Sequence, residues 1–310
     1  MKLAAYKTIT LISLLLLILL LGLQIVFSNN DDLYSSVVKG NVRKVRKFIK
    51  RGDDINVTDQ KGQTPLHQIA GGGFIQMRPR NPFVRFNPFN KRQLAGGTHV
   101  APDICLTIAK LLIANGADIH AKDFYGHTPL HKTGWTRNSE VAKLLITSGA
   151  DVNAKDNYGQ TPLLFSLKLG TYGFEVPKVL IDNGSNVNAA DCQGDTPLHK
   201  TVLSVYAIRI FIKSVDDICE MIDLLLKKGA DINAINKSGN TALHEVIDWA
   251  IDFDTSIEID ADIGQIVQFL IKNGANLNAE NNQGQNPLTL ALEAGKTEIT
   301  ELLRKHGAKK

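Results

Sequence analysis

Three strings combine residue types and spacings that could do chemistry, and each lacks the residue the chemistry needs. Gly126-His127-Thr128-Pro129-Leu130-His131-Lys132-Thr133 has the outline of a phosphate-binding loop, whose two glycines let backbone amides wrap a phosphate. His131 stands where the second glycine belongs, so the cradle does not form. His244-Glu245-Val246-Ile247-Asp248 has the outline of a zinc-protease helix, yet Asp248 replaces the second histidine ligand. Asp248, Asp252, Asp254, Glu258, Asp260 and Asp262 gather carboxylates that could face a cation or a basic partner. Counted as a calcium loop from Asp252, they leave Ile257 at the glycine position and Ile263 at the closing glutamate, which reduces them to a solvated acidic face. There is no G-x-S-x-G elbow, and Cys105, Cys192 and Cys219 are too far apart for a zinc site or a disulfide framework. No catalytic, metal or cofactor-binding residue is expected, no cofactor is implied, and the chain is not expected to be an enzyme.

Composition narrows the choice further. Thirty-five basic against 31 acidic residues leave +4 over 310 residues, too little for a global field that would draw nucleic acid. The 44% hydrophobic content is ample for a core.

The elements that hold these strings emerge from repetition. Thr64-Pro65-Leu66-His67 recurs as Thr128-Pro129-Leu130-His131 and Thr196-Pro197-Leu198-His199, with weaker copies at 161–164, 241–244 and 286–289. Successive copies are 64, 33, 35, 45 and 45 residues apart, which a 33-residue unit explains with insertions of 31, 0, 2, 12 and 12. A second string follows in constant order: Asn115-Gly116-Ala117-Asp118-Ile119, Ser148-Gly149-Ala150-Asp151-Val152-Asn153, and relatives beginning at Asn183, Lys228 and Asn273. Threonine is a helix N-cap, and proline at the first helical position sacrifices no hydrogen bond. Glycine closes the second helix in a left-handed conformation, and the Ala-Asp-Val-Asn stretch opens a hairpin loop. Because His67, His131, His199 and His244 recur in step with the unit, they read as scaffold hydrogen-bonders.

A period near 33 carrying this string resembles the ankyrin-repeat family over about residues 31–310. The resemblance implies an all-α solenoid of about seven helix-turn-helix units with hairpin loops, here preceded by one hydrophobic N-terminal helix. The units are expected at 31–59 (degenerate), 60–123 (with an insertion at 72–102), 124–156, 157–191, 192–236 (with an apolar insertion, Val202 to Ile212, lengthening its first helix), 237–281 (with the acidic insertion) and 282–310 (the C-terminal cap).

Such a scaffold binds through hairpin tips and the exposed side of its first helices. Phe124, Tyr125 and Tyr158 at tips, with Trp135 and Phe165 on first helices, place large aromatics where the unit pattern expects solvent, as partner-binding candidates. The 72–102 insertion interleaves Arg78, Arg80, Arg85, Lys91 and Arg92 with four phenylalanines and has no acidic residue, so it could contact an acidic protein, a lipid headgroup layer or, least of all, nucleic acid. A functionally silent loop is the plain alternative.

Residues 1–28 complete the reading. Residues 9–27 would span about 28 Å as a helix, near the hydrocarbon thickness. A retained single-pass anchor is expected, with a cleaved signal and a secreted or periplasmic product as the alternative. Basic residues on both flanks leave the orientation open, with a slight lean toward a cytoplasmic repeat domain. The functional expectation is a membrane-associated, non-catalytic scaffold or adaptor for one or more proteins. The alternatives are a structural organiser of the membrane surface, with Lys39, Arg43, Lys44, Arg46, Lys47, Lys50 and Arg51 on anionic lipid, and an exported protein-binding effector.

Overall fold

The computed structural model describes residues 32–72, 100–136, 138–168, 173–204, 214–249 and 257–309. Among them are fourteen α-helices and no strand. In chain order these are α1 (Leu33–Val38), α2 (Val42–Arg51), α3 (Pro65–Ala70), α4 (Pro102–Ala114), α5 (Pro129–Lys132, continued by a 3-10 turn, Thr133–Trp135), α6 (Ser139–Thr147), α7 (Pro162–Lys168), α8 (Glu175–Asp182), α9 (Pro197–Leu203), α10 (Val215–Lys227), α11 (Ala242–Trp249), α12 (Ile257–Lys272), α13 (Pro287–Glu293) and α14 (Thr297–Lys305). Odd-numbered helices stack on one another as an inner layer. Even-numbered helices form an outer layer, each against its own odd partner. One continuous apolar core runs between the layers, from Leu33 and Val45 through Leu130, Leu145, Leu198 and Leu225 to Leu288 and Leu303. The chain is thus an all-helical solenoid in which each helix pair buries its apolar face on its neighbours.

The repeated strings explain the stacking. Thr64, Thr128 and Thr196 are extended N-caps followed by proline at the first helical position. In each cap the histidine Nδ1 accepts from the threonine backbone N–H at 3.1–3.2 Å, and Thr241 with His244 repeats the bond. The opposite ring nitrogen reaches the next unit. His67 Nε2 meets the His127 carbonyl at 2.9 Å, His131 that of Gln160 at 3.0 Å, His199 that of Asn240 at 3.0 Å, and His244 that of Gln285 at 3.2 Å. Nδ1 as acceptor and Nε2–H as donor define the neutral ring, tying a helix start to the following hairpin. This arrangement also excludes a phosphate cradle at 126–133, because Thr128 and His131 are spent on the helix start.

A second ladder joins the bases of the hairpins. Asn56 Oδ1 accepts from the Asp118 N–H at 2.9 Å, and Asn153, Asn188, Asn233 and Asn278 accept in the same way from Asn186, Asp231, Asn276 and Lys309. His120 occupies this register between Asn56 and Asn153, and there the ladder has no asparagine.

Several expectations need correction. The single-pass membrane localisation is not upheld: no helix among the described residues is long and apolar enough to cross a membrane, and the 9–27 stretch on which it rested lies outside them. The first helix of the fifth unit is not lengthened through its described part, because α9 ends at Leu203 under a Ser204 cap, and 205–213 lie outside the described residues. Pro102, taken as the end of the long insertion, is instead the first residue of α4. Arg78, Arg80, Arg85, Lys91 and Arg92 lie outside the described residues, as do Asp252 and Asp254. The insertion's ends meet, with the Val100 N–H donating to the Gly72 carbonyl at 3.4 Å, so the repeat continues as though uninterrupted.

Candidate protein-binding surface

Each hairpin tip is built on one side-chain oxygen. Asp123 Oδ1 accepts from the Tyr125 and His127 N–H groups at 2.9 Å each, and Asp156 Oδ1 accepts from Tyr158 and Gln160 at 2.8 Å. Asp59, Asp191, Asn236 and Asn281 repeat the pattern, an Asx turn that a glycine with positive φ completes. Adjacent tips are tied by backbone bonds, Phe124 N–H to the Lys61 carbonyl at 2.9 Å and Asn157 N–H to the Tyr125 carbonyl at 3.0 Å. Tyr125 and Tyr158 therefore hold the same register on neighbouring tips.

These tips carry the aromatic candidates into solvent. Phe124 is 71% exposed, Tyr125 46% and Tyr158 52%. Phe124 leans over the preceding tip: a Cβ on Gly62 would lie 2.8 Å from its ring, and Gly62 has φ +73°. Trp135, the last residue of the 3-10 turn that continues α5, is half-buried, and its indole nitrogen is buried with no acceptor among the described residues.

Phe165 departs from expectation, being only 6% exposed. Its ring sits 4.7 Å from the His127 ring and 6.1 Å from that of Trp135. The seat exists because the preceding unit offers Gly134, where a Cβ would stand 2.9 Å from Ser166 Cα and 3.3 Å from the Phe165 ring. Phe165 is thus the floor under an aromatic line from Tyr125 through His127 to Trp135, with Tyr125 5.7 Å from His127.

Sequence reasoning missed the charges beneath this floor. Lys132 Nζ lies 2.7 Å from Asp123 Oδ2 and 3.1 Å from His127 Nδ1, with all three side chains nearly removed from solvent. Burial alone would raise the Asp123 carboxyl, yet bonds from His127, Lys132 and Gln63 hold it well below the carboxylate range. Burial pulls Lys132 down, but the several donors on Asp123 keep the pair ionic. Lys200 repeats the device with Asp191 at 3.0 Å and with Asp195, and those carboxylates raise its ammonium against the pull of burial. Phe165 stands in the lysine's register in the intervening unit, so Asp156 lacks that cation and instead has His127 Nε2 at 3.4 Å. The available signal was lysine directly after the string's histidine, at Lys132 and Lys200. Among the described residues, no cluster of three or more His, Cys, Asp or Glu side chains is arranged to hold a metal.

Comparison with known proteins follows the same repeats. The family model described as ankyrin repeats matches residues 100–191, 136–218 and 210–310. An ankyrin repeat domain from Acinetobacter baumannii is similar at 28% identity and TM-score 0.55, covering 67% of this chain and 95% of its own. The ankyrin repeat domain of Bcl-3, a member of the IkappaB protein family, has TM-score 0.60 at 22% identity over 89% of this chain and 99% of its own, a likeness of fold. No curated protein sequence matches the chain. With the family model spanning well over half of its length, the chain belongs to the ankyrin-repeat family.

Proposed function

We propose that the chain is a non-catalytic scaffold of seven repeats, the first degenerate, that binds a protein partner across the tips of its third and fourth units. Phe124, Tyr125 and Tyr158 are the anchors, Trp135 extends the contact along the inner layer, and Phe165 supports it from below. The observation that carries this reading is three large aromatic side chains exposed together on adjacent, hydrogen-bonded tips. Interface centres are enriched in such residues, and a rigid support lowers the entropy lost on binding. Lys122 and Lys155, both exposed at the foot of these tips, favour a partner carrying carboxylates beside its apolar contacts. Arg78, Arg80, Arg85, Lys91 and Arg92 of the long insertion would add cations to the same partner.

The test compares wild type with the double variant Trp135→Ala, Tyr158→Ala in capture from the protein's own cells, read by quantitative mass spectrometry. Loss of a protein captured by wild type, with unfolding midpoint and helical circular dichroism kept, is expected. Capture unaltered by the double variant would sink this surface.

A further inference from the structure

The outer layer is electrically polarised along the solenoid. At one end α2 exposes Arg43, Lys44, Arg46, Lys47, Lys50 and Arg51 and contains no carboxylate; Arg51 is engaged by Asp53. The helices after it balance their charges: α4 has Asp103 and Lys110, and in α6 Glu140 pairs with Lys143 at 2.7 Å. Four outer helices beyond α2 the sign has reversed. In α10, Asp216, Asp217 and Glu220 are exposed and Asp223 is half-buried. Lys178 reaches Glu220 only at 3.6 Å, and Lys227 engages Asp223.

A shallow groove of about 280 Å³ opens between α10 and α12, lined by Asp216, Cys219, Glu220, Asp223 and Phe269. Carboxylates around a half-buried phenyl ring suit one side chain above others. A guanidinium makes forked hydrogen bonds to carboxylates and stacks its plane on an aromatic face, which an ammonium does less well. On α2, Arg43 and Arg46 are both exposed and stand three residues apart, so they are neighbours on one helix face.

We propose that α2 of one copy docks on the α10–α12 groove of a second copy, with Arg43 and Arg46 entering the carboxylate-lined groove. Charge complementarity selects the occupant: this chain itself supplies an exposed basic helix and, four outer helices away, its acidic counterpart. The contact is polar and surface-exposed, so it is salt-sensitive and works at high local concentration. It lies on the outer layer and leaves the hairpin tips open.

The experiment uses two differently tagged forms of the full chain, in a non-ionic surfactant that masks the apolar 9–27 stretch without adding charge. Copy-on-copy capture is measured at 50 and 300 mM NaCl. One variant reverses the helix (Arg43→Glu, Arg46→Glu, Lys47→Glu), and the other reverses the groove (Asp216→Arg, Glu220→Arg). Wild type captures itself at low salt and about tenfold less at high salt, neither variant captures itself, and the two variants capture each other, because opposite signs again meet at both contacts. The proposal is overturned if wild type does not capture itself at low salt, if capture ignores salt and both reversals, or if the two variants fail to capture each other.

Discussion

Replacing His131 by leucine isolates the inter-unit histidine bond, and the unit that follows shows that the site accepts it: Leu164 holds the same register there and is fully buried. The variant loses the Nδ1 bond from the Thr128 N–H at 3.1 Å and the Nε2 bond to the Gln160 carbonyl at 3.0 Å. The Thr128 N–H is left unmatched at a cost of about 1–3 kcal/mol. The Thr128 hydroxyl loses its bond to Nδ1, and the Gln160 carbonyl, which keeps its bond from the Asp156 N–H, loses one of its two, at about 0.5–1.5 kcal/mol each. The added apolar side chain returns about 1.5–3 kcal/mol. A net loss of about 1–3 kcal/mol is expected at pH 7.5. The pH dependence is sharper. Burial lowers the His131 imidazole from 6.5 to about 4. The unfolded chain therefore takes up this proton first as pH falls. Stability is whole above pH 6.5, declines as pH drops, and levels off below about 4. At 1.36 kcal/mol per pH unit, this one group removes about 2 kcal/mol from wild type between pH 7.5 and 5. His131→Leu has no such proton to bind, so the gap between wild type and variant narrows by about 2 kcal/mol. Urea unfolding at the two pH values, followed by circular dichroism, measures it. A gap of the same size at both pH values refutes a neutral, inter-unit role for His131.

Lys132→Met removes the cation from a buried carboxylate, with an expected cost of about 3–5 kcal/mol; a change below 1 kcal/mol in urea unfolding would show that the Asp123–Lys132 pair is not buried as described. Gly134→Val forces a side chain onto the Ser166 backbone, and a loss of about 1–3 kcal/mol with altered Trp135 fluorescence is expected. His120→Asn supplies the asparagine missing from the hairpin ladder and should stabilise by about 0.5–1.5 kcal/mol, seen as a higher Tm; a lower Tm would count against the ladder as a source of stability.

What could be read from the sequence was what repeats. Four histidines at one register cannot form one active site in a stack, so their recurrence identified them as scaffold, and the inter-unit bonds agree. Exposure of Phe124, Tyr125 and Tyr158 followed from their place in the tips. Phe165 was misplaced for a physical reason: its burial depends on the absent side chain of Gly134 and on the His127 ring, both in the preceding unit. The Asp123–Lys132 pair stayed hidden because ionic residues ordinarily mark a solvent face, and only folding brings the tip carboxylate back over its own helix. The membrane expectation came from hydropathy of residues 9–27 alone, and no described helix supports it.

The most direct test of a tip-borne binding surface is photo-crosslinking in the protein's own cells, with a photoreactive residue placed at Tyr158 in one form and at Lys143 on the outer layer in another. A protein joined at 158, absent at 143 and lost again when Phe124 and Tyr125 are changed to alanine is the predicted result. The same crosslinks from both positions, or none from 158, would contradict the account.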